Sequence, residues 1–102
     1  IRGAMASWSK TLSKELPPKI TINNVLPGFT DTERLTELKK TLSKQKGISQ
    51  EEVESAWLST VPEGRLADPS ELGQVVAFLC SSAASFIRGT SIPVDGGRTG
   101  SI

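Results

Sequence analysis

Two segments limit what this chain can fold into. Ile20-Thr21-Ile22-Asn23-Asn24-Val25-Leu26 is β-branched and lies between Pro18 and Pro27. Thr90-Ser91-Ile92-Pro93-Val94 is a second short run of the same kind. Both read as strands. Each follows a segment of helical periodicity, and both carry apolar residues on both faces, which suits a parallel sheet covered by helices. Two short strands cannot make such a sheet alone, because their edges and faces need several more strands. The pattern therefore reads as part of a larger α/β fold.

The segments between the strands carry clear start and stop signals. Ile1, Ala4, Met5, Trp8, Leu12 and Leu16 fall within about 120° of arc at the helical period, while Lys10 and Lys14 lie outside that stripe. Pro17-Pro18 stops this helix. No capping residue precedes Ile1, so it reads as a cut point inside a helix. Thr32 to about Lys46 is polar with Leu35, Leu38 and Leu42 at helical spacing, and Gly47 is a C-terminal stop. Ser49 to Thr60 forms another short helix, with Ser49 and Glu52 as a capping box and Val53, Ala56 and Trp57 as its apolar side. Asp68 caps a further helix, with Pro69 at its first position and Glu71 completing the box. Leu72, Val75, Val76, Leu79, Cys80 and Ala83 share its apolar face, and the helix is expected to reach about Ser82. Asp95-Gly96-Gly97 makes a tight turn after the second strand. The string Lys-Thr-Leu-Ser-Lys occurs at Lys10–Lys14 and Lys40–Lys44, but the flanks do not match and it marks no repeat.

Residue types exclude several chemistries within the 102 residues. There is no His and no Tyr, so a His triad, a His metal site and a Tyr acid cannot come from this chain. Cys80 is the single cysteine. It forms no internal disulfide, fits a reducing cytoplasm, cannot build a thiolate metal site, and reads as a small buried hydrophobe. Twelve basic and eleven acidic residues leave a net charge of +1, which gives no reason to expect nucleic acid or an anionic membrane. Lys39, Lys40, Lys44 and Lys46 read as a solvated helix face. No apolar run is long enough to span a bilayer, and no secretory signal pattern opens the chain.

Three motifs compete for function. Ser7-Trp8-Ser9-Lys10 matches the Ser-x-x-Lys pattern of acyl-transfer enzymes, yet its companion motifs are absent and both residues suit a solvent-facing helix. Asp95-Gly96-Gly97-Arg98 is glycine-rich but no helix follows it, so it makes no phosphate cradle. Pro27-Gly28-Phe29-Thr30-Asp31-Thr32 joins a strand end to a helix start. Beyond the carboxyl edge of a parallel sheet such a loop is a ligand site, and the helix N-terminus favours a phosphate or an amide. Equally, Thr30, Asp31 or Thr32 serves as a plain helix cap.

Taken together these residues resemble classical short-chain dehydrogenases/reductases, particularly 3-oxoacyl-[acyl-carrier-protein] reductase-like members. Leu16 to Gly28 resembles their late-sheet strand and Pro-Gly turn. Pro62-Glu63-Gly64-Arg65-Leu66-Ala67-Asp68-Pro69-Ser70-Glu71-Leu72 resembles their Gly-Arg turn and next helix. Phe78 to Ser82, with Ile87-Arg88-Gly89 through Gly97, resembles their last helix and strand.

The resemblance implies an α/β fold, the C-terminal portion of a Rossmann-like, doubly wound parallel sheet ordered helix, strand, lid helices, helix, strand. Residues 1–102 would be part of one domain, with 33–60 as a substrate-lid insertion. It implies cofactor contacts by Pro27, Gly28, the Thr30 main chain and Thr32, with NAD or NADP as cofactor. Leu35, Leu38 and Trp57 would face a ketone or alcohol substrate, and Gly28 would hinge the lid. Thr30 replaces the family's usual branched aliphatic residue, Asn24 replaces a small one, and Asn23 matches a structural Asn. The family's Asn, Ser and Tyr-x-x-x-Lys site precedes the matched segment, so no catalytic residue is carried here, and the N-terminal part of the same enzyme is the implied partner. The Ile1–Leu16 helix would pack in a subunit interface, implying a tetramer. The rival expectation is a noncatalytic module that adds strands to a partner's sheet edge.

Overall fold

The computed structural model describes residues 2–100. Ile1, the first member of the expected apolar stripe, lies outside them. The elements run α1 (Arg2–Glu15), β1 (Asn24–Pro27), α2 (Glu33–Lys46), α3 (Gln50–Leu58), α4 (Pro69–Leu79), a 3-10 turn (Ser82–Ala84) and β2 (Ser91–Val94). The two strands are neighbours. The Asn24 N–H donates to Thr90 O at 2.8 Å and the Gly28 N–H to Val94 O at 3.0 Å. Both strands advance together between these bonds, so the pair is parallel, as the helix-strand alternation requires.

The chain divides into two compact units, Ile1–Leu26 with Gly73–Pro93, and Pro27–Leu72 with Val94–Ile102. In the first, the face that α1 buries is not the apolar stripe. Ser9 and Ser13 are buried, whereas Met5 and Trp8 are more than half exposed. The reason is steric. A Cβ on Gly89 would overlap Ser13 Oγ, so this approach admits only small side chains. Ser9 Oγ donates to Asn24 Oδ1 at 3.1 Å, and Asn24 Nδ2 donates to Ser91 Oγ at 3.3 Å. Asn24 thus links α1 to both strands.

Regular pairing starts at Asn24, four residues later than the β-branched run suggests. Just before it, Asn23 takes over the pairing with its side chain. Its Oδ1 accepts from the Thr90 N–H at 3.0 Å and its Nδ2 donates to Ile87 O at 3.2 Å. Helix α4 ends at Leu79 rather than near Ser82. The Ser81 N–H bonds to Phe78 O at 3.0 Å and the chain turns, which leaves Cys80 exposed instead of buried.

In the second unit the capping signals hold. Thr32 has extended backbone and its hydroxyl accepts from the Leu35 N–H; Gly47 ends α2 in the left-handed region at φ 65°. Ser49 and Glu52 form the reciprocal capping box of α3. Val53 on α3 and Val61 just beyond it are buried. Lys39 reaches Glu54 at 3.2 Å and ties α2 to α3.

Candidate functional site

The Pro27–Thr32 loop is held at three points. The Gly28 N–H bonds to Val94 O, the Ala67 N–H to Phe29 O at 2.9 Å, and the Asp31 N–H to Ala67 O at 2.8 Å. The last two form an isolated parallel bridge centred on Thr30 and Ala67. Peptide groups alternate in direction along extended chain, so the N–H and C=O of Thr30 itself are turned away from Ala67. Neither has a hydrogen-bond partner among the described residues. The Thr30 hydroxyl folds back and donates to Gly28 O at 3.1 Å.

Gly28 is not a left-handed residue. Its requirement is spatial: a Cβ there would sit 2.7 Å from both Cα and Cβ of Asp95. The loop is therefore clamped at the position where a hinge was expected.

Pro27, Gly28, Thr30, Thr32 and Leu35 line one open cleft of 290 Å³, together with Pro69 and Leu72 from the start of α4. Five of the seven residues expected from the sequence are brought together. Leu38 and Trp57 are not in this cleft. Leu38 is 46% exposed on α2, and Trp57 stacks on the Phe29 ring with centroids 5.2 Å apart. Pro69 and Leu72 were missed as site residues because their placement depends on the Ala67 bridge, which no local pattern announces. Thr32 does cap α2, and its hydroxyl, which accepts from the Leu35 N–H at 3.3 Å, keeps its own hydrogen to donate.

The start of α4 is fixed by a charged network. Arg65 Nη1 and Nη2 donate to the two carboxylate oxygens of Glu71 at 2.6 and 2.9 Å. The Asp68 N–H also donates to Glu71 at 2.9 Å, and Asp68 Oδ1 accepts from the Ser70 N–H at 2.9 Å. The Arg65 hydrogen bonds first, and the Asp68 N–H second, lower the Glu71 pKa from 4.5 to about 2. A carboxylate whose folded pKa is depressed adds stability that is present above its unfolded value and lost as pH falls through the folded one. The contribution of Glu71 is therefore full above about 4.5 and disappears toward about 2. A carboxyl NMR titration is expected to place the Glu71 midpoint near about 2, and Arg65→Met is expected to return it toward 4.5. An unchanged midpoint in that variant would show that Arg65 is not the main cause.

Other motifs assemble no site. Ser7 and Lys10 are both exposed on α1, and no hydrogen bond joins them among the described residues. Asp95 accepts from the Gly97 and Thr99 N–H groups and the Thr99 hydroxyl, closing the glycine-rich turn on itself. Among the described residues, no group of three or more metal-ligating side chains occurs, and no helix is long and apolar enough to cross a membrane. A larger concavity of 820 Å³ in the first unit, lined in part by Ile22, Val25, Val76, Leu79 and Cys80, contains none of the expected site residues.

Comparison with known proteins identifies the family. Residues 1–99 match the family described as Enoyl-(Acyl carrier protein) reductase. The chain is 35% identical over 97 residues to the 3-oxoacyl-[acyl-carrier-protein] reductase FabG of Aquifex aeolicus, an alignment covering 94% of this chain and 35% of that protein. It is 35% identical over 103 residues to the NADPH-dependent reductase BacG of Bacillus subtilis, covering 100% of this chain and 40% of that one. A short chain dehydrogenase family protein from Francisella tularensis superposes with a TM-score of 0.89 at 35% identity, over 97% of this chain and 41% of that one. The chain thus spans between 35% and 41% of the length of these relatives. It belongs to the Enoyl-(Acyl carrier protein) reductase family of short-chain dehydrogenases/reductases.

Proposed function

We propose that this chain is the C-terminal part of an NAD(P)-dependent oxidoreductase that interconverts a ketone and a secondary alcohol by hydride transfer. Its share is the nicotinamide-side loop, the lid and an oligomer surface. The observation that carries this reading is the cleft in which Pro27, Gly28, Thr30 and Thr32 converge. A nicotinamide dinucleotide, when bound, supplies or accepts the hydride. The donor set fits its primary carboxamide: the unpartnered N–H and C=O of Thr30 match that group's acceptor and donor, and the Thr32 hydroxyl adds a donor. Pro27 and Gly28 offer a wall without polar side chains. Residues 33–60 form the lid, with Leu35 and Leu38 toward substrate. The name of the Bacillus relative supports NADPH, and that of the Aquifex relative supports a 3-oxoacyl thioester as substrate class. Because the 102 residues contain neither Tyr nor His, the proton at the alcohol oxygen comes from the Tyr that the family resemblance places in the N-terminal part of the enzyme. The exposed Met5 and Trp8 on α1 support the oligomer surface.

Calorimetric titration of the full-length protein with NADPH and NADH tests the reading, and failure to bind either would remove it. Thr32 variants test the site itself. Thr32→Val loses both cap and donor, so the helix weakens by about 1 kcal/mol and cofactor affinity falls by roughly fivefold, one hydrogen bond's worth. Thr32→Asp keeps the cap, so stability holds. It replaces the donor with a negative charge, and affinity is expected to fall more than about tenfold. Unchanged affinity in Thr32→Asp would assign Thr32 to capping alone.

A further inference from the structure

Phe29 lies between Gly28 and Thr30 in sequence and does not line their cleft. Its ring is the centre of a closed cluster. Trp57, near the end of α3, stacks on it at 5.2 Å with an interplanar angle of 15°. The Arg98 guanidinium carbon lies 4.9 Å from the same ring centroid. Arg98 Nε donates to Thr60 Oγ1 at 3.1 Å, and that hydroxyl donates to Trp57 O at 2.7 Å. The circuit returns to the Trp57 main chain, so Arg98 cannot leave the Phe29 ring without breaking its bond to Thr60.

The backbone of Phe29 is equally fixed, by the Gly28 bond to Val94 on one side and the Ala67 bridge on the other. The Thr30 main chain and the Phe29 ring are therefore held in one fixed relation by the same short stretch of loop. On the far side of the stack, α3 is joined to α2 by the Lys39–Glu54 pair and anchored by buried Val53. One covalent step and one aromatic stack separate the Thr30 main chain from α3.

We propose that Trp57 is a positioning residue: its stack on Phe29, closed by Arg98 and Thr60, couples the α2–α3 lid to the main chain of Thr30. The proposal rests on the reading of the Pro27–Thr32 cleft as the cofactor site. Dinucleotide held at Thr30 then steadies α3 through Phe29, without α3 lining the cleft. Aromatic pairs of this kind carry enough coupling energy for a change on the order of tenfold in local opening.

Amide hydrogen exchange of the full-length protein, with and without the nicotinamide dinucleotide it binds, tests this directly. Binding is expected to slow exchange in α3 by on the order of tenfold. Trp57→Ala still binds dinucleotide but loses this increment, and Trp57→Phe restores it. Arg98→Met, which opens the circuit without removing the stack, reduces the increment, and it decides the question if Trp57→Ala does not fold. Two results overturn the proposal while leaving the cofactor site standing. One is a wild type that binds dinucleotide with no slowing in α3. The other is a Trp57→Ala protein in which α3 exchanges faster in both states but the binding increment is intact, the mark of a purely structural stack. A wild type that binds no dinucleotide removes the site and this proposal with it.

Discussion

Replacing Gly28 with Ala is expected to lower the thermal midpoint of the full-length protein by about 5–10 °C and to abolish measurable cofactor binding. The added Cβ would lie 2.7 Å from two atoms of Asp95, one of them backbone. Neither partner can retreat. Asp95 is held by its bonds from the Gly97 N–H at 3.1 Å and the Thr99 N–H at 3.0 Å. Gly28 is held by its own N–H to Val94 O. Relief requires the ends of the two strands to part, losing that bond and displacing the loop that carries Thr30. Overpacking costs about 1–3 kcal/mol and the lost bond about 1 kcal/mol more. Gly73→Ala is the control. Gly73 lies inside α4 with open space where a Cβ would stand, nothing coming within 4 Å of it. Ala there should stabilise by roughly 0.5–1 kcal/mol through helix propensity alone. Equal midpoints for Gly28→Ala and wild type would mean that the strand ends are not packed as described.

What the sequence made legible was decided within a few residues of chain. The starts of α2, α3 and α4 follow from Thr32, Ser49 with Glu52, and Asp68 with Glu71, whose bonds close over three positions. The end of α2 follows from Gly47. The Pro-Gly turn and the threonines after it were readable for the same reason, and the family resemblance gave them a role. Contacts made across long stretches of chain were not readable. Asn23 replaces the first part of the expected strand by bonding to Ile87 and Thr90. Ser9 and Ser13 displace the apolar stripe because Gly89 comes close. Cys80 lies beyond the end of α4, although its spacing continues the apolar face. At the site, Pro69 and Leu72 reach the cleft through the Ala67 bridge, and Arg98 meets Phe29 from the far end of the chain. Hydrophobic periodicity identifies a helix but not which of its faces a neighbour approaches closely.

The end of α1 shows the same dependence on a distant residue, and it yields the second large effect. The last carbonyls of a helix are normally satisfied by N–H groups of the residues that follow. Here Pro17 and Pro18 follow, and proline has no N–H. Arg88 supplies the missing donors. Its Nε donates to Ser13 O, its Nη2 to Leu16 O, and its Nη1 to Pro17 O at 3.3 Å. The guanidinium also places a positive charge at the negative end of the helix dipole. Arg88→Met keeps the aliphatic stem but leaves the Ser13 and Leu16 carbonyls without donors, while Pro17 O keeps the Ile20 N–H at 3.3 Å, at a cost of about 2 kcal/mol. Amide exchange at Leu16, whose N–H bonds to Leu12 O, is then expected to quicken by on the order of 30-fold. Arg88→Lys recovers only part of this, because one ammonium cannot span three carbonyls as the planar fork does. The buried Ser9 and Ser13 sit on the same helix, so the loosening should extend to the Ser9–Asn24 bond and be visible at the Asn24 amide. If Leu16 exchanges at the wild-type rate in Arg88→Met, water satisfies those carbonyls as well as arginine does, and the helix end is held by packing against Gly89 instead.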